Sequence, residues 1–201
     1  MPVLYNVTGG GAYCSGGAGV VVGLSGTEAD ISYSLYIDGS TLVETKAGTG
    51  AAISFSNQTV AGNYTVVATS SAPLPDCQRT MGGSATVSVN PLPTIVLGAS
   101  SAAVCEGDSP AVIAYSATTN SPDQYSINFD TTAEGQGFTD VSAATLPGGS
   151  INLTVPATAA PATYNATLTV TNSSTGCTSS TQNINLTVHK TITTGTITIA
   201  N

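Results

Sequence analysis

The side chains of this sequence that could act as base, metal ligand or acid are few. They are one histidine (His189), four cysteines and eleven carboxylates in 201 residues. Nucleophilic catalysis needs a base held beside a hydroxyl or thiol. His189 falls near the end of the second half of the chain, where a linker residue is the plainer reading. Glycoside hydrolysis needs two carboxylates converging in a cleft. The candidate pairs, Glu28 with Asp30 and Glu106 with Asp108, fall in expected loops and read as solvated turns. Glu106-Gly107-Asp108 and Asp123 could offer oxygens to calcium, yet no loop has the spaced carboxylates of an EF-hand. No glycine-rich phosphate loop is present either. The expectation is a protein that is not an enzyme, with no catalytic residue and no cofactor, calcium being the one ion left in view.

The cysteines carry more information. Cys14 to Cys105 is an offset of 91 residues and Cys77 to Cys177 an offset of 100, so each half of the chain holds a matching pair. Four cysteines allow three pairings. Repeat symmetry favours Cys14–Cys77 and Cys105–Cys177, each stapling its own domain; four buried free thiols are the alternative. There is no Cys-x-x-Cys and a single His, which argues against zinc. Disulfides imply an oxidising compartment and hence an exported, extracellular protein.

The elements that must position these residues are themselves repeated. Tyr33-Ser34-Leu35-Tyr36-Ile37-Asp38 returns as Tyr125-Ser126-Ile127-Asn128-Phe129-Asp130, and Tyr64 returns as Tyr164. Asp38 to Tyr64 is 26 residues but Asp130 to Tyr164 is 34, which places one insertion between them. Between the copies stands Asn90-Pro91-Leu92-Pro93, whose prolines cannot continue a central strand and favour an extended connector. The organisation expected is a repeat over 1–90, a linker of Pro91, Leu92 and Pro93, a second repeat over 94–190, and a tail over 191–201. The tail reads as the opening strand of a following repeat or as a strand exchanged with another molecule. Met1 takes the place of Leu92 in the repeat register, which suggests a piece of a longer product.

Within each copy, short runs alternate apolar and polar residues, with turn signals such as Asp38-Gly39 between them. Ile31, Tyr33, Leu35 and Ile37 share one face; Tyr64, Val66 and Ala68 share another. Seven or so such strands per copy read as an antiparallel sandwich, so the fold class is all-β, two tandem Ig-like sandwiches. Tyr64 and Tyr164 have the setting of a tyrosine corner, whose hydroxyl ties a connection to the next strand. Leu92, between two prolines, is expected to pack against one domain end and limit the hinge, giving a rod.

Composition narrows the partners. Charged residues are 7% of the chain and the net charge is −8, with only Lys46, Arg79 and Lys190 basic. Nothing could neutralise a run of phosphates, so nucleic acid is excluded as a partner and anionic membrane is disfavoured. No apolar run approaches the roughly 20 residues that span a bilayer.

Tyr13-Cys14-Ser15-Gly16-Gly17, Ala61-Gly62-Asn63-Tyr64-Thr65-Val66, Val87-Ser88-Val89-Asn90-Pro91-Leu92-Pro93 and Val104-Cys105-Glu106-Gly107 resemble the tandem Ig-like and PKD-like repeats of Bacteroidota cell-surface proteins. Gliding-motility adhesins and other type IX secretion cargo are similar. Only Ile37-Asp38-Gly39 remains of the PKD-type strand, so the Ig-like label fits better. The resemblance implies a cell-surface stalk or adhesin filament whose partners are neighbouring repeats or other copies of itself. It also implies O-glycosylation at Thr131, within Asp130-Thr131-Thr132. The second function in view is a carbohydrate-binding accessory module of a secreted polysaccharide-degrading enzyme, with surface glycans as partners. With no Trp and 5% aromatics, aromatic sugar platforms are scarce, which favours the structural and adhesive reading.

Overall fold

Period-two alternation becomes strand throughout the chain. From Tyr64 to Ser70 every second residue is buried, because successive side chains of a strand point to opposite faces. The computed structural model describes residues 1–70 and 77–192. It is almost entirely β, and the chain divides into two units, Met1–Pro91 and Leu92–Asn201.

In the first unit the strands are β1 (Val7–Gly9), β2 (Gly11–Cys14), β3 (Val20–Leu24), β4 (Ile31–Ile37), β5 (Thr41–Ala47), β6 (Ile53–Gln58), β7 (Gly62–Ser70), β8 (Gln78–Thr80) and β9 (Ala85–Asn90). One sheet has the order β1-β3-β6; the other has β2-β9-β7-β4-β5, with β8 beside β7. Strand β2 runs parallel to β9, and the other pairings are antiparallel. The chain passes from one sheet to the other at Gly9-Gly10-Gly11, all at positive φ. A side chain could not be placed there: a Cβ on Gly9 would stand 2.2 Å from the Val21 carbonyl oxygen. Between the sheets lie Val22, Leu24, Tyr33, Leu35, Phe55 and Val66. At the β4–β5 turn Asp38 and Gly39 both adopt positive φ, 50° and 73°, as a type I′ turn requires.

The second unit repeats this plan strand for strand. Its elements are β10 (Thr94–Leu97), β11 (Ser101–Cys105), β12 (Ala111–Thr119), β13 (Gln124–Phe129), α1 (Thr131–Glu134), β14 (Val141–Thr145), β15 (Ser150–Leu153), β16 (Ala162–Asn172), β17 (Cys177–Thr178) and β18 (Gln182–His189). The sheets are β10-β12-β15 and β11-β18-β16-β13-β14, with β17 beside β16. Again the strand after the sheet switch, β11, runs parallel to the last strand, β18. This is the A-B-E and A′-G-F-C-C′ arrangement of Ig-type sandwiches.

The inserted segment lies where the first unit makes its β4–β5 turn. Asp130 caps α1, its Oδ1 accepting from the Ala133 N–H at 2.8 Å. The helix seats Ala133 in the core, and the chain after it brings in Phe138, whose ring lies 5.1 Å from Phe129 and 4.8 Å from Tyr164. An extra aromatic thus enlarges the second core. The linker prolines differ from each other: Pro91 is exposed, whereas Pro93 is buried and Leu92 half-buried. The Leu92 carbonyl accepts from Asn120 Nδ2 at 2.6 Å. In the tail, the Thr191 hydroxyl donates to the Glu106 carbonyl and Ile192 is exposed; the expected strand from Thr193 onward lies outside the described residues.

Candidate functional site

Each sandwich has two ends, a leading end where the chain comes in and a trailing end where it leaves. The long strands β7 and β16 measure the distance between them. In the first unit, Cys14 is the register partner of Asn90 at the trailing end. Cys77 lies at the leading end, its carbonyl accepting from the Ser70 N–H at 3.1 Å and its N–H donating to Ser70 Oγ. Strand β7 alone, at about 3.3 Å per residue, separates these ends by about 26 Å. In the second unit Cys105 pairs with His189 at the trailing end, and Cys177 pairs with Asn172 at the leading end. Strand β16 puts about 33 Å between them on the same rise.

A disulfide cannot bridge Cα atoms more than about 7 Å apart. The expected pairings Cys14–Cys77 and Cys105–Cys177 are therefore corrected. Cys77 and Cys105 are free thiols, whereas Cys14 and Cys177 are disulfide-bonded. Repeat symmetry holds, but it matches cysteines across copies without saying which two are near.

The tyrosines are positioned alike in the two copies. Tyr64 Oη donates to the Val60 carbonyl at 2.8 Å, and Tyr164 Oη donates to the Ala160 carbonyl at 2.6 Å. Both rings are buried in the core. Burial pushes the Tyr64 hydroxyl above its ordinary pKa, and that of Tyr33 likewise.

The residues considered for chemistry are scattered. His189 is exposed at the end of β18, its carbonyl accepting from the Glu106 N–H. Glu28 Oε2 accepts from the Val3 N–H at 2.6 Å. Asp30 is an exposed turn residue at positive φ. Glu106 and Asp108 are exposed in the turn after β11. Asp123 stands at the opposite, leading end, its N–H bonded to the Thr171 carbonyl. Its carboxylate is held by Ser173, which donates from both N–H and hydroxyl, and these bonds keep its pKa below the usual aspartate value. The calcium donors proposed from sequence are thus on opposite ends of one domain. Among the described residues no three of His, Cys, Asp and Glu converge as a metal site.

One concavity is lined by a coherent set of side chains. On the outward face of β13, β16 and β18 lies a depression of about 450 Å³ bordered by Asn128, Asp130, Asn165, Thr167, Asn183 and Asn185. Asn165 and Asn185 are cross-strand partners. Asn165 Nδ2 donates to Asp130 Oδ2 at 3.1 Å. That bond and the capping bond from Ala133 hold the Asp130 carboxyl below its ordinary pKa, the capping bond being the larger cause. Thr131, beside it, is exposed. No local pattern marks this cluster, since its asparagines come from three separated strands.

No family model and no curated protein matches the chain. Solved structures align with it at low similarity. The fibronectin(III)-like modules of Clostridium thermocellum CbhA align at 11% identity over 92% of this chain and 94% of that one, with a TM-score of 0.43. The FN1-FN3 domains of chicken CNTN1 align at 15% identity over 92% and 67%, also with a TM-score of 0.43. Sidekick-1 immunoglobulin domains 1-4 align at 13% identity over 94% and 48%, with a TM-score of 0.41. The strand orders of the two units make the chain two tandem Ig-like β-sandwiches. The disulfide fits a secreted or extracellular domain. Among the described residues no helix is long and apolar enough to cross a membrane.

Proposed function

We propose that this chain is a structural and adhesive module, a segment of an extracellular repeat stalk or filament of a bacterial surface protein. The observation that carries the reading is the strand-for-strand duplication of one Ig-type sandwich, down to the paired tyrosine hydroxyls. Repeats of this kind set reach and stiffness, and their contacts are made with neighbouring repeats and other copies. The outward faces support it: they present Thr, Ser and Asn, and carry one ion pair among the described residues, Lys46 with Glu44 at 3.3 Å. The exposed Thr131 offers a hydroxyl for O-glycosylation.

The second reading, glycan binding, has one observation in its favour. The asparagine-lined depression offers amide donors and acceptors matched to sugar hydroxyls, without an aromatic platform. A glycan array probed with the intact chain separates the two. The stalk reading expects no saturable binding. Binding that is lost in both Asn165→Ala and Asn185→Ala moves the function to carbohydrate recognition.

A further inference from the structure

One side of the first sandwich ends in two edge strands, one from each sheet. Strand β5 ends the order β2-β9-β7-β4-β5, and β6 ends β1-β3-β6. An edge strand presents unpaired backbone groups on which a strand of another chain can add. Segment Ile53-Ser54-Phe55-Ser56-Asn57-Gln58 of β6 is suited to such addition, being uncharged and free of proline and glycine. It carries one bulge: the register passes from Gly23↔Ser54 to Val21↔Asn57, so Phe55 and Ser56 together oppose Val22.

Two side chains of β5 reach across to this strand. Glu44 Oε2 accepts from the Ser56 N–H at 2.8 Å, and Lys46 Nζ donates to the Ser54 carbonyl at 2.7 Å. They also meet each other, Lys46 Nζ standing 3.3 Å from Glu44 Oε1. Glu44 thus gives one carboxylate oxygen to the backbone and the other to Lys46. Together the two residues fill donor and acceptor places that an added strand would take on β6. Both are half-buried while Thr45 between them is exposed, so they share the inward face of β5. Inward-pointing charge on an edge strand is itself a bar to pairing.

The chain has three basic residues, and one of them stands here. An exposed ion pair adds little to stability, so exclusion of a wrong pairing is the better account of its place. The second sandwich treats its matching side differently. Strand β14 carries no charged residue, and β15 is four residues long, between Pro147 and Pro156. A short edge beside prolines needs no such cover.

We propose that Glu44 and Lys46 are a guard that closes this side of the first sandwich to strand addition, and that without them β6 pairs antiparallel with β6 of a second copy. Identical edges related by a two-fold axis are self-complementary, which makes the second copy the partner. The inference goes beyond the stalk reading: it names a contact between copies that the chain excludes. It holds whether or not the module binds glycans.

The test is the double variant Glu44→Thr/Lys46→Thr. It removes one charge of each sign, so the net charge stays at −8 and lost repulsion cannot explain its behaviour. Threonine keeps β5 suited to a strand. In sedimentation the variant should shift from monomer toward dimer at concentrations where the wild type does not. Amide exchange read by NMR locates the contact. In dilute variant the Ser56 amide should exchange at least about tenfold faster than in wild type, having lost a charged acceptor, and it should regain protection on concentrating. A folded variant that associates no more than the wild type would overturn the proposal, as would association whose protection lies away from β5 and β6. A wild-type Ser56 amide exchanging as fast as a free amide would overturn it without any variant.

Discussion

Tyr64 and Tyr164 place a hydroxyl inside an apolar core only because a carbonyl four residues upstream receives it. Removing the hydroxyl leaves that carbonyl without its donor and costs about 0.5–1.5 kcal/mol. Tyr64→Phe and Tyr164→Phe should each lower stability by that amount in urea denaturation, and a neutral result in both would deny the corner its structural role. Two aspartates contribute to the response to acid. Asp123 and Asp130 accept hydrogen bonds that favour their charged forms, from Ser173 and from Ala133 with Asn165. A carboxyl held below its unfolded pKa adds stability that is complete above the ordinary aspartate value and is lost as pH falls through the depressed one. Asp123→Asn and Asp130→Asn should therefore flatten the acid limb of the stability curve, most visibly below about pH 5. Equal acid sensitivity in wild type and variants would reject this. These roles differ in how far sequence discloses them. A tyrosine in strand register four residues after a turn is local, and both corners could be read directly. The Asp123–Ser173 contact joins residues 50 apart and has no sequence signature.

At the scale of the element, most strands were legible because alternation and turn residues are local signals, whereas their order within each sheet was not. Ile31 to Ile37 followed by Asp38-Gly39 specifies a hairpin, and the β4–β5 pair forms there. The sheet switch at Gly9-Gly10-Gly11 was legible only as a break; that it moves the chain between sheets depends on partners far away in sequence. Gly9→Ala should cost more than about 1 kcal/mol, since positive φ and the nearby Val21 carbonyl both oppose a side chain. A thermal melt unchanged by this substitution would contradict the geometry. The insertion was locatable by spacing but not its content. Phe138 enters the core because α1 turns the chain inward, and no alternation marks it. Phe138→Ala removes a ring packed on Phe129 and Tyr164 and should destabilise by about 3–5 kcal/mol. In the first unit the Asp38-Gly39 turn stands in its place, so nothing equivalent can be deleted there.

For the whole molecule, sparse charge decides what holds the fold together. Charged residues are 7% of the chain and the net charge is −8, and the described residues hold one ion pair, Lys46 with Glu44 at 3.3 Å. An exposed pair of this kind contributes about 0–1 kcal/mol, and salt screens it. Stability therefore rests on the apolar core of each sandwich and on strand pairing, which salt does not screen. Added salt also relieves the mutual repulsion of the carboxylates. Urea unfolding at low and at physiological ionic strength should therefore differ by less than about 1 kcal/mol, with the higher salt no less stable. A midpoint that falls steeply as salt is added would mean that ion pairs carry the fold, against the composition of the chain.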